Sequence, residues 1–79
     1  MKGDDALLAE SVERALGQYL EQLDGEPACD LYDVVLAEVE RPLLHCVMAY
    51  VDHNQSRAAA LLGLNRGTLR KKLKSHGII

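Results

Sequence analysis

Between residues 31 and 51 the chain carries ten Leu, Val and Met side chains: Leu31, Val34, Val35, Leu36, Val39, Leu43, Leu44, Val47, Met48 and Val51. Read as a helix, they cover much more than one stripe. A helix that is apolar around most of its circumference must be buried on several sides. A chain of 79 residues has few other elements to supply that cover. A second copy of the chain is the simplest source, since exposed apolar surface on this scale invites aggregation. A homodimer is therefore expected. Pro42 falls inside the run. It removes one backbone hydrogen bond and crowds the preceding turn, so one helix kinked between residues 38 and 42 is expected, with two separate helices as the alternative.

The rest of the chain also reads as helical. There is no Trp or Phe and there are three Tyr, so the core must be built from Leu, Val and Ala, which suits helices better than sheets. Residues 4–23 place Leu8, Val12, Ala15, Leu16, Tyr19, Leu20 and Leu23 on one stripe. Asp4 and Asp5 favour its start, and the run Asp24, Gly25, Glu26, Pro27 ends it. Asp30 is a suitable N-cap for the apolar helix, with Asp33 in its first turn. Asn54 is placed to cap a third helix to about Leu62, and Gly63 to end it. Asn65 then caps a fourth helix from Arg66 to about Ser75, stopped by Gly77. The expected fold is all-α, with four helices in one structural domain. Residues 1–53 form the helical dimerisation core, and residues 54–79 a C-terminal helix-turn-helix.

Charge is divided unevenly between these parts. Residues 54–79 hold six Lys/Arg and no Asp or Glu, whereas residues 1–53 hold three Lys/Arg and twelve Asp/Glu. The formal charges are thus +6 and −9, which give the whole chain its −3. An acid-free basic segment on an acidic body has the charge distribution of a polyanion-binding module. Its helical pattern makes double-stranded DNA the leading partner. A helix-turn-helix needs a small residue in its first helix, a turn Gly four positions later and apolar residues that lock the pair. Ala59, Gly63, Leu62, Leu64, Leu69 and Leu73 fill those places, and Ala58 adds a second small residue.

On the fourth helix, Leu69 and Leu73 share a core-facing side. Gly67, Thr68, Arg70, Lys71 and Lys74 lie opposite, with Arg66 at the leading end. Gly67, a poor helix former, would let the backbone come close to DNA. The first residues of such a helix meet base edges in the major groove, which assigns base contact to Asn65 and Arg66. Arg can donate twice to guanine, and Asn can pair with adenine. Thr68, Arg70, Lys71 and Lys74 are assigned to backbone phosphates. So are Asn54, Gln55, Ser56 and Arg57, through side chains and free backbone N–H groups at a helix start. Lys72 is read as merely solvated. The competing reading is a solvated basic face that binds nothing or leans on the acidic half.

The segment NQSRAAALLGLNRGTLRKKLKSHGII closely resembles the C-terminal region of the Fis family, the factor for inversion stimulation of bacterial nucleoids. DLYDVVLAEVERPLL resembles that family's proline-kinked dimer-forming helix, and NRGTLRKKL is the most diagnostic part. The resemblance runs from about Leu8 onward. It implies an intertwined all-helical homodimer whose recognition helices sit closer than one turn of DNA. The DNA must then bend, and specificity comes largely from deformability. Carried over by position, Asn65 and Arg66 contact bases, while Asn54, Ser56, Arg57, Thr68, Arg70 and Lys71 hold the backbone. RNA polymerase is a further partner of such a nucleoid-associated regulator. Three departures stand out. Asp52 stands where Arg is frequent, and Ser75 where Lys is common, so flanking phosphate contacts are expected to weaken. The family's N-terminal hairpin arm, which engages invertases, has no counterpart before Leu8, so invertase stimulation is not expected.

Other functional classes find little support. His45, His53 and His76 are scattered, and no Ser, Cys or carboxylate lies at a triad-like spacing, so an enzyme is not expected, nor a cofactor or metal. Cys29 and Cys46 lack zinc-site partners and are too few for a disulfide scaffold. Cys46 is read as a small buried hydrophobe, and Tyr19, Tyr32 and Tyr50 as partly buried packing residues. Glu10, Glu13 and Glu21 form a solvated face. Neither a membrane span nor a signal peptide is apparent, so a reduced cytoplasmic location, at the nucleoid, is the default. Two alternatives remain. One is a dimerisation module whose basic tail docks on an acidic protein. The other is the detached output domain of an enhancer-binding activator of the NtrC type.

Overall fold

A computed structural model describes residues 2–25 and 29–79, with the side chains of the first helix described from Leu7 onward. Four helices follow in order: α1 (Lys2–Leu23), α2 (Leu31–Tyr50), α3 (Gln55–Leu62) and α4 (Arg66–Ser75). Among the described residues there is no strand. The chain forms two compact units, Met1–Val35 and Leu36–Ile79.

In the first unit, α1 ends at Leu23. Asp24 (φ 48°) and Gly25 (φ 84°) then take left-handed conformations, which close the helix as the Asp-Gly pair predicts. The stop signals Glu26 and Pro27 lie outside the described residues. No described residue of this unit is buried, and Leu7, Leu8, Tyr19, Leu20 and Tyr32 are exposed. Tyr32 is 76% exposed, so the expectation that it packs is not met, while Tyr19, at 39%, is partly covered. The acidic residues Glu10, Glu13 and Glu21 are exposed, as their spacing predicts.

The second unit holds the core. Leu44 and Met48 of α2 and Val51 just after it meet Ala58 and Ala59 of α3 and Leu69 and Leu73 of α4, with Val47, Leu62, Leu64 and Ile78 packed around them. Leu44, Leu69 and Leu73 are at most 1% exposed, so the core is a leucine cluster roofed by two alanines. The small side chains let α3 and α4 lie close together. The helix α2 is continuous through Pro42, which leaves the Glu38 carbonyl without its intrahelical donor. Beside that point, Arg41 and Glu38 form an exposed ion pair at 3.9 Å.

Three helix ends in this unit use one device. At each, one backbone N–H donates to the carbonyl five residues back, and the left-handed residue before it donates to the carbonyl three residues back. After α2 the bonds are His53 N to Met48 O (2.8 Å) and Asp52 N to Ala49 O (3.3 Å). After α3 they are Leu64 N to Ala59 O (2.9 Å) and Gly63 N to Ala60 O (3.3 Å). After α4 they are Ile78 N to Leu73 O (2.8 Å) and Gly77 N to Lys74 O (3.0 Å). Gly63 (φ 75°) and Gly77 (φ 71°) fill the left-handed place in two of them; in the first it is Asp52 (φ 53°), followed by His53 (φ 65°). Asp and His are among the few side-chain-bearing residues that enter this region readily. Asp52 therefore has a conformational task that its reading as a lost phosphate contact did not include. Leu64 and Ile78 each drop an apolar side chain back onto the core, which fixes the path of the chain beyond the helix.

Candidate nucleic-acid interface

Asn54 and Asn65 open α3 and α4 in the same way. Both hold extended backbone angles. Asn54 Oδ1 accepts from the Arg57 N–H at 3.1 Å, and Asn65 Oδ1 accepts from the Gly67 N–H at 2.8 Å. Each side-chain oxygen is turned inward to cap its helix, so the Nδ2 hydrogens remain for outside acceptors. A Cβ on Gly67 would lie 3.2 Å from Asn65 Oδ1, so this glycine keeps the cap uncrowded. That gives it a role besides the close backbone approach expected from sequence. The cap also occupies one of the free N–H groups expected at the start of α3, that of Arg57.

Neither helix has an acid in its first turn. The partial positive charge at each N-terminus is therefore uncompensated from within, which favours an anion there. Arg66, Gly67, Thr68, Arg70, Lys71 and Lys74 are all exposed on α4, as are Asn54, Ser56 and Arg57 at α3, while Gln55 is half-buried. Leu69 and Leu73 are fully buried. The division of α4 into a leucine side and a basic side is thus the one its spacing predicts. Every exposed polar group named here is a donor or can act as one, which suits phosphate oxygens and the acceptors of guanine. Adenine would need the second lone pair of an Asn65 oxygen already engaged in the cap.

Lys72 departs from the reading. Its Nζ donates to Glu40 Oε2 at 2.9 Å, and His76 Nε2 lies 2.8 Å from Glu40 Oε1. The His76 side chain is only 6% exposed. Hydrogen bonds from Lys72 first, and His76 second, hold the Glu40 carboxyl below its ordinary value of 4.5. Lys72 is therefore an internal ion-pair partner. It turns toward α2 because it lies about 60° round the helix from Leu69, on the edge of the buried side. His76 is satisfied by the same carboxylate. A partner 32 positions away leaves no local trace in the sequence.

Other sequence readings need revision. Cys46 is exposed, and both cysteines are free. Tyr50 is 75% exposed. Cys46 and Tyr50 share the outer side of α2 with Leu36, Val39 and Leu43, all exposed. The helix buries one stripe within the chain, through Leu44, Met48 and Val51, and presents a second at positions 36, 39, 43, 46 and 50. A shallow open groove lined by Tyr50, Val51, Arg57, Ala60 and Leu61 lies where α2 meets α3. Among the described residues, no group of three or more His, Cys, Asp and Glu is arranged to hold a metal. No helix among them is long and apolar enough to cross a membrane.

Residues 35–76 match the family described as bacterial regulatory protein, Fis family. The chain is 62% identical over 71 residues to the DNA-binding protein Fis of Actinobacillus succinogenes, covering 90% of this chain and 72% of that one. It is 59% identical to the protein of that name from Histophilus somni and 56% identical to the one from Aeromonas hydrophila, with the same coverage.

Proposed function

Because the chain belongs to the Fis family of bacterial regulatory proteins, we propose that it is a sequence-tolerant, DNA-bending regulator that acts as a homodimer. One observation carries this reading. The outer face of α4 is exposed, basic and free of acids, and it is held in place by two fully buried leucines. Such a face fits the major groove as a rigid body. Arg66 is the base-reading residue, with Asn65 offering its amide donors beside it. Thr68, Arg70, Lys71 and Lys74 face phosphates, as do Asn54, Gln55, Ser56 and Arg57 at the start of α3. Relatives of the chain bear the name DNA-binding protein.

The homodimer rests on the second stripe of α2. Leu36, Val39, Leu43, Cys46 and Tyr50 recur at spacings of three and four along an exposed side, the period of a helix seam that packs against another helix. Residues 54–79 then form the DNA-contacting region and the preceding residues the pairing device. The resemblance supplies the bend: two recognition helices closer than one DNA turn require the duplex to curve between half-sites.

A gel-shift titration on A/T-centred duplexes tests the reading. Arg66→Ala is expected to relax preference among fragments by about 1–3 kcal/mol per half-site. Lys74→Ala is expected to weaken all fragments about equally. No retention of any duplex at low salt would overturn the DNA reading.

A further inference from the structure

We infer that Glu40, outside the proposed DNA-contacting set, is a positioning residue that sets the rotation of α4 about the line of its two buried leucines. The inference rests on the DNA-binding reading above. Leu69 and Leu73 are one turn apart and fully buried, so they fix where α4 lies. Two buried side chains on one stripe resist a large roll, which would pull them from the core, but leave small rotations about the line through them. Lys72 and His76 form a second pair one turn apart, displaced to one side of the leucines. Both end on the same carboxylate, Lys72 at 2.9 Å and His76 at 2.8 Å. Glu40 thus grips α4 off the leucine line and stops the roll. Rolling the helix by even part of the roughly 100° between successive residues would exchange which of Thr68, Arg70 and Lys71 faces the groove.

The chemistry of the grip suits this task. The two acceptor oxygens of Glu40 are each taken by a different donor, so the carboxylate cannot swing without losing one. The His76 side chain is nearly buried, and Glu40 and Lys72 are both about one third exposed. Because Lys72 is engaged here, it lies outside the outward phosphate-facing set. Roll matters most for base contacts, which need aligned donors; phosphate attraction tolerates misalignment.

The test uses the full chain, with Glu40→Ala, the milder Glu40→Gln, Lys72→Met and the Glu40→Ala/Lys72→Met double variant. Affinity is measured for the tightest-binding duplex selected from a randomised pool and for random duplex of equal length, alongside thermal unfolding. Glu40→Ala is expected to lower affinity for the selected duplex about tenfold, or about 1.4 kcal/mol. Random duplex should change by no more than about twofold, since its affinity comes from phosphates. Glu40→Gln, which keeps one acceptor, should recover part of the preference. Lys72→Met should also lower preference rather than overall affinity, and the double variant should be no worse than Glu40→Ala, because both act through one contact. Three results would overturn the inference: preference unchanged in folded Glu40→Gln, additive losses in the double variant, or losses shared equally by random duplex. A wild-type chain that retains no duplex at all would instead remove the DNA reading, and this inference with it.

Discussion

The helix-turn-helix and the outer stripe of α2 are made from the same kinds of side chain and meet opposite fates. Leu69 and Leu73 are sealed within the chain by Leu44, Met48, Val51, Ala58 and Ala59. Leu36 and Leu43, on the other side of α2, are each 48% exposed. Leucine content does not separate the two regions. The difference lies in what lies opposite: the Gly63 turn folds α4 back onto one side of α2, and nothing in the same compact unit returns to the other. On the proposed reading, recognition is built inside one chain and pairing between two.

If the outer stripe is a seam, a charge within it should have the largest effect. Leu43→Asp is expected to dissociate the dimer, since an uncompensated charge in a buried interface costs roughly 3–5 kcal/mol, and two copies carry it. Sedimentation equilibrium would show a monomer. A variant that stays as associated as the wild type would place the seam elsewhere. Leu69→Ala, on the sealed side, is expected to lower stability by about 2–5 kcal/mol through the cavity left behind. Thermal or urea unfolding measures the loss, and a change under 1 kcal/mol would mean the core is not closed as described.

Smaller effects probe the helix ends. Gly63→Ala forces a side chain into the left-handed region and should cost about 1–2 kcal/mol, whereas Asp52→Gly relieves the same strain and should raise the unfolding midpoint slightly. Asn65→Ser keeps a capping oxygen and Asn65→Ala does not, so the latter should lose about 1 kcal/mol of stability. Both lose the Nδ2 donors, so DNA affinity should fall in both. Stability and affinity that moved together would refute the separate roles given to oxygen and amide. The smallest effect concerns pH. Glu40 has a folded-state pKa below its unfolded value. Its contribution is therefore complete above the ordinary carboxylate range and is lost as pH falls through the lowered value. Glu40→Gln should flatten that acid limb in melts taken across the range.

What the sequence made legible was mostly local. Asn54, Gly63, Asn65 and Gly77 announce helix ends within a few positions of where they act, and the spacing of Leu69 and Leu73 gives the buried side of α4. Pairings across the chain were not legible: Lys72 looks like its neighbours until Glu40 appears beside it. Asp52 lay between. An Asp-His-Asn run directly after a helix favours left-handed backbone, a signal that the charge comparison with Arg overshadowed. Cys46 and Tyr50 lie in an apolar stretch that suggests packing, yet periodicity marks a stripe without saying what covers it. Base contact by Asn65 and Arg66 remains a functional reading, now with Asn65 limited chiefly to donation.

A salt titration of DNA affinity bears most directly on the proposal that two sealed helix pairs meet one duplex. If about eight to twelve phosphates are neutralised per dimer, the logarithm of affinity should fall with the logarithm of salt concentration at a slope of roughly −7 to −11. A slope about half as steep, with a monomer in the complex, would contradict the pairing. A flat response, or no binding at low salt, would contradict the DNA interface itself.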